Sequence, residues 1–190
     1  KNVAEDPGFS LAAAYQWPER RLKKHGLPII QSIAKNGERI VDVGRELSDK
    51  LFAKYGAALA YGMIHHDSAS AVQAGAEWSN ERFNEHSRTI TDQASGHLIS
   101  VGEQWSWERM QCFSQAILEW FTNDSSRANA AGARWNDDNW SWFAEDIASG
   151  VARSFIEVRT AGESWPLERF ARFADKFGQI LSRSPVDCSI

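Results

Sequence analysis

Apolar and polar positions along this chain fall into a block that returns about every 30 residues, and six copies can be aligned. A small residue opens each copy: Ala14, Gly44, Gly75, Gly102, Gly132 and Gly162, spaced 30, 31, 27, 30 and 30 apart. Three places after this marker stands a large apolar anchor: Trp17, Leu47, Trp78, Trp105, Trp135 or Trp165. Eight places after it stands a second apolar residue: Leu22, Phe52, Phe83, Met110, Trp140 or Phe170. The residue directly after the anchor is Pro18, Ser48, Ser79, Ser106, Asn136 or Pro166. Serine and asparagine cap helices through their side chains, and proline tolerates the first turn, so a helix should open there in every copy. The two apolar residues then flank the cap as a hydrophobic staple. Further apolar residues follow at marker plus 11, 15 and 19, as in Phe113, Ile117, Phe121 and Phe143, Ile147, Val151, which is the spacing of one helical face. In the first and third copies the plus-11 position of this core column holds His25 and His86.

Turn formers such as Asp67-Ser68, Ser95-Gly96 and Asn123-Asp124-Ser125 end the long helix, and shorter Ala-rich segments, Ser70 to Glu77, Gly96 to Gln104 and Ser126 to Arg134, complete the unit. The fold expected is therefore all-α: about six helix-turn-helix units of roughly 30 residues, stacked as a solenoid or closed as a compact helical bundle. Residues 1–13 read as an N-terminal lead-in and 14–190 as a single α-helical repeat domain. A glycine at the marker suits a close approach of two helices.

Composition changes this picture in three places. Nine tryptophans are many for 190 residues, but five are anchors, so architecture accounts for most of them. The net charge of −4 is unevenly spread, because residues 1–60 carry +3 and residues 61–190 carry −7. The basic run Arg20, Arg21, Lys23, Lys24 reads as a solvated helix face, and the acidic remainder would repel a nucleic acid. No apolar run reaches the roughly 18 residues of a membrane-spanning helix, and residues 1–10 lack the apolar core of a signal peptide. Cys112 and Cys188 show no metal-ligand spacing, so a reducing, cytoplasmic location is expected.

Recurring polar pairs, Glu81-Arg82, Glu108-Arg109 and Glu168-Arg169, with Asp138-Asn139 and a shifted Glu19-Arg20-Arg21, fit structural duty: carboxylates at a helix start and arginines that bridge to a neighbouring repeat. Function should lie where one copy breaks the shared pattern. Trp107 and Leu167 stand where four copies are polar, Trp142 and Trp120 break two further columns, and all four lie in copies four to six. Tryptophan at a solvent column marks a contact surface, so the chain is expected to be a non-enzymatic scaffold that binds a protein partner through Trp107, Trp120, Trp142 and Leu167, without a cofactor. An apolar terminal repeat also allows a homodimer.

Association with a membrane or lipid surface through Trp-rich amphipathic helices is the alternative, opposed by the acidic polar faces. A third reading comes from His65-His66-Asp67 with His25 upstream, which resembles the spaced His, His-Asp pattern of HD-type metal-dependent phosphohydrolases over three or four residues. That resemblance implies a metal held by His25, His66 and Asp67. Helix-end histidines and a capping aspartate account for the same triplet without metal. Adjacent carboxylates such as Asp137-Asp138 diverge by about 100° on a helix and make no acid/base couple, and no phosphate loop or nucleophile elbow appears.

Overall fold

The computed structural model describes residues 7–36, 39–66 and 68–183, and all regular structure in them is helical. The chain divides into two compact units, residues 1–97 and 98–190. The first contains α1 (Pro7–Gln16), α2 (Glu19–Asn36), α3 (Ile40–Glu46), α4 (Asp49–His66), α5 (Ser68–Glu77) and α6 (Asn80–Ala94). The second contains α7 (Leu98–Gln104), α8 (Trp107–Met110), α9 (Ser114–Asn123), α10 (Ser125–Arg134), α11 (Asp137–Val151), α12 (Phe155–Ser164), α13 (Leu167–Ala171) and α14 (Ala174–Arg183). A long helix follows the anchor in the first, second, third and fifth copies, whereas in the fourth and sixth it is broken into α8 and α9, joined by a 3-10 turn at Gln111–Phe113, and into α13 and α14. The short helix of the first copy already begins at Pro7, inside the segment read as a lead-in.

The anchor sits between a short helix and the long one after it, and one local geometry serves all six copies. The anchor N–H donates to the carbonyl just before the marker: Trp17 to Ala13, Leu47 to Val43, Trp78 to Ala74, Trp105 to Val101, Trp135 to Ala131, Trp165 to Ala161. The second staple residue returns its N–H to the cap carbonyl in each copy, from Leu22 to Pro18 through Phe170 to Pro166. Side-chain capping is added at Ser79 and Asn136, which accept from the Arg82 and Asn139 N–H groups. Local chemistry therefore fixes the corner without help from distant residues.

What packs on the corner comes from the following copy. A methyl group built on Gly44 would overlap the Trp78 indole, one on Gly102 the Trp135 indole, and one on Gly132 the Trp165 indole. Gly44, Gly102 and Gly132 are thus the floor on which the next anchor of the same unit lies. The side chain seven places after the next marker closes the joint. Arg82 donates to the Gly44, Arg45 and Leu47 carbonyls and, at 2.8 Å, to Asp49. Arg169 donates to the Gly132 carbonyl at 2.9 Å, the Trp135 carbonyl at 2.8 Å and Asp137 at 2.6 Å. Asn139 reaches the Gly102 and Trp105 carbonyls at 3.0 and 2.8 Å. These carbonyls close a helix end and have no intrahelical donor, so the guanidinium or amide supplies what the helix cannot.

The residue types at the joint change in step. Asp49 and Asp137 stand opposite arginines, whereas Trp107 holds the corresponding position opposite Asn139, which carries no charge to neutralise. Where the marker is Ala14 its Cβ occupies the space of an indole, and the next anchor is the smaller Leu47. A cavity of about 90 Å³ lies beside them, lined by Ala14, Tyr15, Val43, Glu46 and Leu47.

Candidate functional site

Of the four residues that break the sequence pattern, the structure brings two together. Trp107 opens α8 and Trp142 lies in the second turn of α11, and their rings stack with centroids 4.4 Å apart and planes 8° from parallel. The edge of Trp107 also meets the buried Phe143 ring at 5.6 Å, which ties the pair to the core. Trp107 is half-buried, while Trp142 is 63% exposed. A stack of this kind is worth about 0.5–1.5 kcal/mol beyond burial and fixes the Trp142 ring against Trp107.

The remaining two lie apart from this stack. Trp120, at the end of α9, is half-buried beneath the Arg127 guanidinium, 4.8 Å above its ring. Leu167 opens α13 and is 77% exposed.

Helical spacing sets carboxylates around Trp142. Asp138 is one turn before it, and Glu145 and Asp146 are one turn after it on the same face; all three are exposed. None of them has an ion-pair partner among the described residues. The open face of Trp142 is therefore an aromatic plane in a negative field. Asp146 also borders a depression of about 270 Å³ with Leu118, Phe121, Thr122, Ser149, Gly150 and Arg153. In the first unit a broader groove of about 590 Å³ runs between α2 and α4, over Ala34, Ala57, Ala58 and Gly62, and is also lined by Tyr61 and His65, whose rings are 4.3 Å apart and tilted at 53°.

The metal reading finds little geometry. The His66 side chain and Asp67 lie outside the described residues, as does Cys188, and among the described residues no group of three His, Cys, Asp or Glu side chains could hold a metal ion. His25, expected in a core column, is exposed. The reason lies in the joint: that column faces the preceding repeat, as Tyr55 does against Gly26 and His86 against Gly56, and the described chain places no repeat before His25. His86 is half-buried in the same column, where Tyr55, Phe113, Phe143 and Phe173 are buried. Its Nε2 has no hydrogen-bond partner, and burial pushes its pKa below the ordinary value, with Glu85 pulling weakly the other way.

The Glu-Arg pairs divide their duties as the sequence suggests. Glu81 is held below the usual carboxylate range by its own backbone N–H and by Ser79, and Glu108 by Ser106 and its own N–H, the pattern of a helix-start carboxylate. Sequence reasoning missed that Arg82 and Arg169 act mainly on carbonyls rather than on carboxylates. The signal was present in the recurrence of a long donor seven places after the marker. No helix among the described residues is long and apolar enough to cross a membrane. No protein-family model, curated protein or solved structure matches the chain.

Proposed function

We propose that this chain is a helical-repeat binding scaffold, and that the unit of residues 98–190 takes a basic segment of a partner protein on the Trp107–Trp142 stack. The observation that carries this reading is the exposed Trp142 ring, braced by Trp107 at 4.4 Å and surrounded by three carboxylates without cationic partners. An arginine or lysine laid on an indole gains a cation–π contact of about 0.5–2 kcal/mol, and carboxylates at the rim guide its approach. Bracing matters because a ring that is already fixed loses little conformational freedom when a partner arrives. The recurring contacts of marker, anchor and plus-seven residue support the repeat half of the reading, with neighbouring repeats in each unit stacked on one another.

The test is binding to an array of short peptides graded in arginine and aromatic content, with wild type, Trp142→Ser and Asp138→Lys/Asp146→Lys. Retention of basic peptides by wild type, weakened at least tenfold by either variant at unchanged helicity, is the expected result. Equal retention by all three proteins, or no preference for basic peptides, would overturn it.

A further inference from the structure

The joint between repeats has two halves, and among the described residues a receiving half near Gly162 and an inserting half at Trp17 stand without a counterpart. In the receiving half a marker glycine and its carbonyl are covered by the next repeat of the same unit, and Gly44, Gly102 and Gly132 are all buried. Gly162 is exposed, and a Cβ placed on it would meet only Phe170 ring carbons at 3.5 Å. No indole lies on it. The residue four places on is Pro166, which has no N–H for the Gly162 carbonyl. Small residues also stand at Ala174 and Gly178, both exposed, in columns where Gly26, Gly56, Ala60, Ala144 and Ala148 are buried and Ser114 and Leu118 are exposed. Among the described residues no repeat covers this receiving surface.

The inserting half is left over at the other end of the sequence. Trp17 is held by the same N–H bond to the pre-marker carbonyl as every other anchor, yet it stays partly exposed while the other five anchors are buried. Arg21 occupies the plus-seven position of Arg82 and Arg169. Those two lie over the staple rings of the preceding repeat, Phe52 at 4.8 Å and Trp140 at 5.0 Å, whereas Arg21 lies over its own Trp17 at 3.7 Å. His25 completes an exposed row one helical turn further on.

We propose that Trp17 and Arg21 of one molecule dock on Gly162, the Gly162 and Trp165 carbonyls and the Phe170 ring of a second molecule, so that chains join head to tail through a copy of their own internal joint. Charge favours this pairing, since the inserting end belongs to the basic stretch and Glu163 and Glu168 border the receiving face. Because the two halves are made of different residues, the contact is heterologous and propagates unless it closes into a ring. Leu167 stands where Asp49 and Asp137 meet an arginine in the internal joints, so Arg21 is bound by carbonyls and the ring alone. The proposal is independent of the Trp107–Trp142 reading.

Sedimentation equilibrium of the 190-residue chain over a wide concentration range tests it. Wild type should rise past the mass of two chains, and Gly162→Leu, Trp17→Ser and Arg21→Glu should each weaken association at least tenfold while keeping the wild-type circular dichroism. Arg21 is exposed, so its variant guards against a fold defect at Trp17. Mixing Gly162→Leu with Trp17→Ser restores one intact joint and should give two-chain particles and nothing larger. A single-chain mass for wild type at every concentration, unchanged association of the variants, or a mixture that stays monomeric would each overturn the proposal.

Discussion

One substitution made at two equivalent positions should move stability in opposite directions. Replacing glycine by alanine inside a helix gains about 1 kcal/mol of helix propensity. At Gly132 the new methyl would overlap the Trp165 ring, which is itself buried and donates through Nε1 to the Asn129 carbonyl and Oδ1 at 3.0 and 2.8 Å. The ring must move, at an overpacking cost of about 1–3 kcal/mol. Its displacement also strains the indole hydrogen bond, worth about 1 kcal/mol. The net expectation for Gly132→Ala is a loss of about 1–3 kcal/mol. At Gly162 the methyl enters ordinary contact with Phe170 at 3.5 Å, so the propensity gain of about 0.5–1 kcal/mol should survive. Urea unfolding in dilute solution, followed by circular dichroism, should show midpoints displaced to opposite sides of wild type. If Gly162→Ala destabilises as much as Gly132→Ala, or if Gly132→Ala is neutral, the indole-on-glycine account of the joint is wrong.

Arg169→Met should destabilise by about 2–3 kcal/mol, because it strands the Gly132 and Trp135 carbonyls in a buried setting, while Asp137→Asn, at a carboxylate 93% exposed, should have little effect; urea midpoints distinguish the two. Acidification should weaken the unit that contains His86. Its folded pKa is depressed by burial, so the unfolded chain takes the proton first as pH falls through about 6.5; stability is full above that pH and is lost as it drops toward the folded value. Thermal melts between pH 7.5 and 5 should show this slope, and His86→Phe, the residue type of copies four to six in that column, should flatten it. Trp142→Ser should lower stability only by the about 0.5–1.5 kcal/mol of its stack on Trp107 while weakening peptide retention at least tenfold, since the ring is mostly exposed.

The sequence by itself determined every feature carried by neighbours within about ten residues. Anchor, cap and staple make a local corner, and all six corners form with the same backbone bonds. Helix periodicity likewise placed Phe113, Ile117, Phe143, Ile147 and Val151 in the core. Residues that meet across copies were legible only as recurrences without a target. The marker glycine reads as a site of close helix approach, but its occupant is an indole about 34 residues later, and the target of the plus-seven arginine is a pair of helix-end carbonyls rather than a carboxylate. The four off-pattern residues pointed to one surface, and tertiary packing stacked Trp107 on Trp142 and left Trp120 under Arg127. His25 shows the same limit from the other side. Within the units its column is buried or half-buried at Tyr55, His86, Phe143 and Phe173 and open at His25, because burial belongs to the neighbour a residue is given and not to its place in the period.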